Sequence, residues 1–246
     1  MSLPIWKFLD DCDLSDYTLI MPSVAVGNVG QLVCDLLISS LNMIKTASVH
    51  SPAFIPVLGY DPYDIKSTSL SGSCDLYRCS EKKLLVLQLR APLIYKYAKT
   101  FLTEVVEQFT GKNIKDVIVL TSSFAHEKKH ILTSPFRYLA NDVCPYSSRV
   151  SDLKWQVHES NGNGLSIPGG GFSTMMYELC VEKSVPCLLL YKYCSEGDNI
   201  PDAYEMVHYL NSILSLFGDN ADLLSVLIQP VSWKLLFGRP PPQDIY

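Results

Sequence analysis

Three short runs of this chain are almost entirely apolar: Leu84–Leu89, residues 117–120 and residues 187–193. A strand that is apolar on alternate residues can leave one face in water, but one that is apolar throughout must be covered on both faces. Helical spacing fills the intervals between such runs. Residues 17–26 are rich in β-formers, and from Val29 apolar side chains fall at Val29, Leu32, Val33, Leu36, Leu37, Leu41 and Ile44, the pattern of one helical face. The spacing predicts further helices over 98–109, 172–182 and 201–217. Strands buried on both faces, alternating with helices, predict an α/β protein: a three-layer α/β/α sandwich with a mainly parallel sheet.

Two stretches interrupt the alternation. Residues 52–78 contain Pro52, Pro56 and Pro62 with a serine- and threonine-rich section, and they predict a small antiparallel excursion. Residues 141–164 are polar and end in Asn161-Gly162-Asn163-Gly164, which predicts a long flexible loop. The organisation expected is one α/β domain over residues 1–238 followed by an extended, proline-rich C-terminal tail over 239–246.

Charge narrows the partners. A formal charge of -5 without a clustered basic stripe gives a nucleic-acid backbone nothing to attract, so no nucleic-acid partner is expected. The first residues hold too short an apolar run for a secretory signal and lead into Asp10, Asp11, Asp13 and Asp16, and no stretch reaches the length of a membrane span. A soluble intracellular chain is expected, with no membrane partner. Its eight cysteines include no Cys-x-x-Cys pair, and several lie in apolar segments, so free, reduced thiols are expected.

The motifs that resemble chemistry each have a structural explanation. Gly27-Asn28-Val29-Gly30 and Pro168-Gly169-Gly170-Gly171 both open helical stretches, where backbone amides could cradle a phosphate. Neither matches the dinucleotide fingerprint or ends in the Gly-Lys-Ser/Thr of a phosphate loop, and glycines also serve tight turns and close packing. His126-Glu127-Lys128-Lys129-His130 matches His-Glu-x-x-His, which on a helix would face two imidazoles toward a zinc ion, with Glu159 a remote third ligand. Pro135 follows too soon for a long buried helix, so no metal, cofactor or catalytic residue is assigned. Glu196, Asp198 and Asp202 surround Asn199 and Pro201 in the pattern of a helix N-terminus, with Asn199 as the cap.

The C-terminus differs in character. Residues 231–238 carry Trp233 and Phe237, and the following Arg239-Pro240-Pro241-Pro242-Gln243-Asp244-Ile245-Tyr246 is stiffened by three prolines, giving a reach of roughly 25 Å when extended. A terminal carboxylate beside an aromatic ring can be captured by a lysine or backbone amides while the ring fills an apolar pocket. A frayed terminus is the alternative.

Six segments taken together resemble the proteasome assembly chaperone family: residues 21–32, 87–90, 133–139, 167–171, 195–203 and 232–238. The resemblance spans nearly the whole chain in order. It implies a non-enzymatic chaperone of α/β/α fold that forms a heterodimer with proteasome assembly chaperone 1. It also implies action on the ring of proteasome α subunits, promoting ring formation and preventing premature association between rings, in cytoplasm and nucleus. Members of the family insert a C-terminal hydrophobic-Tyr-any tripeptide between α subunits, whereas this chain ends Asp244-Ile245-Tyr246, with the tyrosine last. The partner-binding residues expected by this resemblance are Ile245 and Tyr246, docking by ring burial and carboxylate capture, with Trp233 and Phe237 fixing the base of the arm. Phe136-Arg137-Tyr138 is a further candidate for a partner surface, with buried packing as the alternative. The alternative is a phosphate- or nucleoside-binding enzyme built on the glycine turns.

Overall fold

A computed structural model describes residues 5–159, 164–218 and 222–235. The chain begins with β1 (Ile5–Phe8), β2 (Thr18–Pro22), α1 (Val29–Ser40) and β3 (Ile44–His50). The excursion gives β4 (Leu58–Tyr60) and β5 (Leu70–Gly72), followed by β6 (Cys74–Cys79), β7 (Leu84–Leu89), α2 (Tyr95–Thr110) and β8 (Asp116–Phe124). The remainder comprises β9 (Phe136–Ala140), α3 (Ser147–Asp152), α4 (Ser173–Glu182), β10 (Cys187–Cys194), α5 (Ile200–Leu214) and α6 (Leu223–Val226).

One sheet carries the architecture, in the order β1-β3-β6-β7-β2-β8-β10-β9. Its centre, β7-β2-β8-β10, is parallel, and antiparallel strands continue it on both sides. The period-2 geometry of a strand sends alternate apolar side chains to opposite faces. Leu19 and Met21 of β2, Val117 and Val119 of β8 and Leu189 of β10 pack on one side with Phe101, Leu102 and Val105 of α2 and Met176 and Leu179 of α4. Ile20, Ile118, Leu120, Leu188 and Leu190 point the other way, onto Val33 and Leu37 of α1 and Met206, Val207 and Leu210 of α5. Each of these strand residues is buried, so the central strands stabilise two cores at once, at roughly 1.5–3 kcal/mol for each large side chain. This is the expected α/β/α sandwich.

The outer strands were less visible. The apolar spacing carries the first helix on to Ile44, but α1 ends at Ser40, Asn42 takes a left-handed φ of 46°, and Ile44 opens β3. Ser215, with φ of 50°, stops α5 at Leu214 in the same way, three residues before the expected end. The excursion contains the expected antiparallel pair, β4 with β5. The polar stretch 141–164 is only partly a loop: Cys144, Tyr146 and Val150 are buried around α3, Trp155 packs against the same core, and Val157 bridges to Tyr138. The asparagine–glycine residues 161–163 and the tail 239–246 lie outside the described residues.

Candidate protein-binding surface

The body ends in a short 3-10 turn, Val231–Leu235. Trp233 is 8 % exposed and belongs to the core cluster that also holds the buried residues of α1 and α5, making it an internal anchor. Two backbone contacts hold this strap down: the Ile228 amide donates to Ser40 Oγ at 2.8 Å, and the Ser232 amide donates to the Pro62 carbonyl at 3.2 Å. Phe237, Ile245 and Tyr246 lie outside the described residues. The side chains of Phe136-Arg137-Tyr138 pack into the body, as the buried-packing alternative has it. The segment forms β9 with all three side chains buried, and Phe136 stacks on Tyr209 with ring centroids 3.7 Å apart.

The surface that sequence reasoning missed is the β4–β5 hairpin beside this strap. Leu58, Tyr60, Ile65 and Leu70 are between 51% and 84% exposed, and Ile55 and Val57 extend the apolar area. Tyr60 pairs directly with Leu70, while Leu58 is two residues from Tyr60 and shares its face. The signal was present in the sequence as apolar residues recurring through a proline- and serine-rich stretch, but without a sheet to pack on they carried no direction.

Buried polar chemistry holds the hairpin in place. Asp75, 1 % exposed, accepts from Ser71 Oγ (3.1 Å), the Gly72 amide (2.9 Å) and Ser48 Oγ (2.9 Å), and pairs with Lys45 Nζ at 2.8 Å. Lys45 also donates to the Leu70 carbonyl. Tyr63 donates to Asp35 Oδ1 at 2.6 Å, and Arg90 grips the same carboxylate. Burial pushes the Tyr63 hydroxyl well above the usual tyrosine range, reinforced by Asp35, so it remains a donor. Burial alone would lower Arg90, but Asp35 and Tyr63 outweigh it and raise the guanidinium above its ordinary value.

The glycine turns meet at the carboxyl ends of the parallel strands, where open α/β sheets commonly bind ligands. Here protein atoms occupy the space. A Cβ on Gly27 would lie 2.6 Å from Asn199 Oδ1, one on Gly30 2.7 Å from the Leu120 carbonyl oxygen, and one on Gly171 2.3 Å from the Val24 carbonyl oxygen. Ser23 Oγ donates to the Gly170 carbonyl and accepts from the Phe172 amide, both at 2.9 Å, while the Val26 amide donates to the Gly169 carbonyl at 2.9 Å. These glycines let two turns close over the strand ends.

The remaining motifs resolve geometrically. His126 and Glu127 lie in a single 3-10 turn that gives way to extended backbone at Lys128, so the two histidines do not share a helical face. The His126 ring stacks on Phe124, and His130 sits 3.6 Å from Glu159. Among the described residues, no group of three or more metal-ligating side chains is gathered. Asn199 is the N-cap residue of α5, as expected, with Pro201 in the first turn, but its side chain does not cap. Asp198 accepts from the Ile200 amide at 3.0 Å, while Asn199 reaches Ser195 and Asp202, and Asp202 pairs with Lys192 at 2.8 Å. All eight cysteines are free thiols, and seven of them are buried.

The sequence model of the PAC2 family matches residues 19–225. "Proteasome assembly chaperone 2" of Homo sapiens is 35% identical over 254 residues, covering 95% of this chain and 96% of its own length. The protein of the same name from Danio rerio is 35% identical, covering 94% and 95%. In three dimensions the chain is similar to PbaA of Pyrococcus furiosus, described as an archaeal homolog of proteasome-assembly chaperone, with a TM-score of 0.70 at 15% identity, covering 90% of both chains. PbaB of the same organism, described as an archaeal proteasome activator, gives 0.67 at 14% identity over 92% and 93%. The fold likeness and the near full-length sequence match agree, and the chain belongs to the PAC2 family.

Proposed function

We propose that this protein is a non-enzymatic chaperone of 20S proteasome assembly. It forms a heterodimer with proteasome assembly chaperone 1, promotes formation of the α-subunit ring and blocks off-pathway association of rings, in cytoplasm and nucleus. The observation that carries this reading is the match to relatives named proteasome assembly chaperone 2 along nearly the full length of both chains. The packing of the glycine turns supports a binding role over the phosphate-handling alternative, because Gly27, Gly30 and Gly171 abut Asn199, Leu120 and Val24 and so serve close packing within the chain. In this reading Ile245 and Tyr246 dock on α subunits by ring burial and carboxylate capture, and Trp233 and Phe237 fix the root of the arm.

Co-expression with proteasome assembly chaperone 1 and the α subunits tests it. The expected result is a stable two-chaperone complex that co-purifies with α subunits and raises the yield of rings. Removing Ile245 and Tyr246 is expected to reduce co-purification with α subunits while leaving the chaperone pair intact. Unchanged recovery of α subunits after that deletion would reject the role of the terminal residues. Failure of the full chain to engage either partner would reject the whole reading.

A further inference from the structure

Behind the β4–β5 hairpin, between it and the edge formed by β1 and β3, runs a groove of about 660 Å³. Its apolar walls come from Val49 and Phe54 on the body and from Leu58 and Leu70 on the hairpin. Lys7 and His50 stand on the body side, and Lys7 has no ion-pair partner among the described residues. The one carboxylate in the lining, Asp75, is neutralised by Lys45 and by three further hydrogen-bond donors. In a chain of net charge -5, this groove is therefore locally positive.

Three properties separate this region from ordinary exposed apolar surface. The first is area. Ile55, Val57, Leu58, Tyr60, Ile65 and Leu70 are between 44% and 84% exposed, together roughly 700 Å² and close to the ~800 Å² that one partner contributes to a standard protein interface. The second is preorganisation. Asp75, Tyr63 and Lys45 fix the hairpin before anything binds, so little ordering cost remains to oppose association. The third is an incomplete ladder. Among the described residues β4 pairs only with β5, which leaves its other edge open to a further strand.

We infer that the β4–β5 hairpin and its groove form the docking surface for the pairing chain, which lays in an extended segment of apolar side chains carrying one acidic side chain toward Lys7. This rests on the reading above that the protein works as one half of a pair. Apolar contact with Leu58, Tyr60 and Leu70 supplies affinity, and the carboxylate against Lys7 sets direction along the groove.

The experiment uses the full chain and purified proteasome assembly chaperone 1. Affinity is measured for wild type, Leu58→Glu, Tyr60→Ser and Lys7→Glu, and amide hydrogen exchange over residues 55–72 is followed with and without the partner. Leu58, Tyr60 and Lys7 are exposed, and unchanged thermal midpoints will verify that the variants fold. Leu58→Glu and Tyr60→Ser are expected to weaken binding roughly tenfold or more. Lys7→Glu should weaken it at low salt, with the deficit shrinking as salt is raised. Residues 55–72 should gain protection on binding. A complex of wild-type affinity in both apolar variants, or hairpin amides that exchange equally fast bound and free, overturns the inference while leaving the pairing intact. If wild type forms no complex, the pairing and the inference fall together, and ring yield in the presence of α subunits then shows whether any chaperone role survives.

Discussion

Arg90 holds Asp35 through both terminal guanidinium nitrogens, Nη2 at 2.7 Å from Oδ1 and Nη1 at 3.1 Å from Oδ2, tying the end of β7 to the middle of α1. Tyr63 and Gln88 donate to the same carboxylate, so one acidic side chain fastens helix, sheet and excursion together. Breaking a buried pair leaves a charge without compensation. Asp35→Ala should cost about 3 kcal/mol or more in urea unfolding, whereas Tyr63→Phe, which removes one hydroxyl, should cost about 1–2 kcal/mol. Hydrogen exchange should also rise across residues 58–72 in both variants.

The glycine turns should be intolerant of side chains for packing reasons. Gly171 has φ of 60°, and its Cβ would meet a backbone carbonyl oxygen at 2.3 Å, which cannot swing aside. Gly171→Ala should destabilise by roughly 1–3 kcal/mol. At Gly27 the obstacle is the end of the Asn199 side chain, so Gly27→Ala combined with Asn199→Ala should recover part of the loss of the single Gly27→Ala change. Denaturant midpoints across that double-mutant cycle check the expectation.

Asp116, at the start of β8, gives the fold a pH signature. Burial raises its carboxyl above the usual 3.8, although Tyr146 donates to Oδ2 at 3.0 Å and pulls the other way. A raised acid binds its proton more tightly in the folded state, so its contribution to stability is greatest at low pH and fades as pH rises from about 3.8 through the raised folded value. Asp116→Asn removes the charge that must be buried at neutral pH. The thermal midpoint of the variant should gain on wild type as pH is raised above about 3.8 and level off once the folded carboxyl has ionised, a trend that calorimetry over a pH series will read.

Trp233 is buried in the core cluster shared with α1 and α5, and its loss should be felt as stability. Trp233→Ala should cost roughly 3–5 kcal/mol by leaving a cavity under the C-terminal strap. Trp233→Phe, which keeps most of the ring, should cost far less. Both are read by urea unfolding.

The sequence made the centre of this molecule legible because β7, β8 and β10 sit deep in both cores, and burial on two faces leaves an unmistakable apolar run. The edge strands were hidden for the converse reason. β1, β3 and β9 mix polar and apolar residues, and their partners lie far away in sequence, so only the assembled sheet gives them a register. Asn199 shows a subtler limit: its position as helix cap was readable, but the hydrogen bond passed to Asp198 because Asn199 turns toward Ser195 and Asp202. The exposed hairpin was readable as an antiparallel excursion but not as a surface, since exposure depends on what fails to cover it.

The strap that bonds Ser232 to Pro62 also lines a recess with Tyr60 and Ile65, so the chain leaves its described body at Leu235 next to the hairpin. A chain that covers Tyr60 and Ile65 would therefore shade Val231 and Ser232 as well, because the recess has both walls in common. The strap would act as a built-in reporter: slower amide exchange at Ser232 would register occupancy of the hairpin even though the strap contributes nothing to the groove behind it.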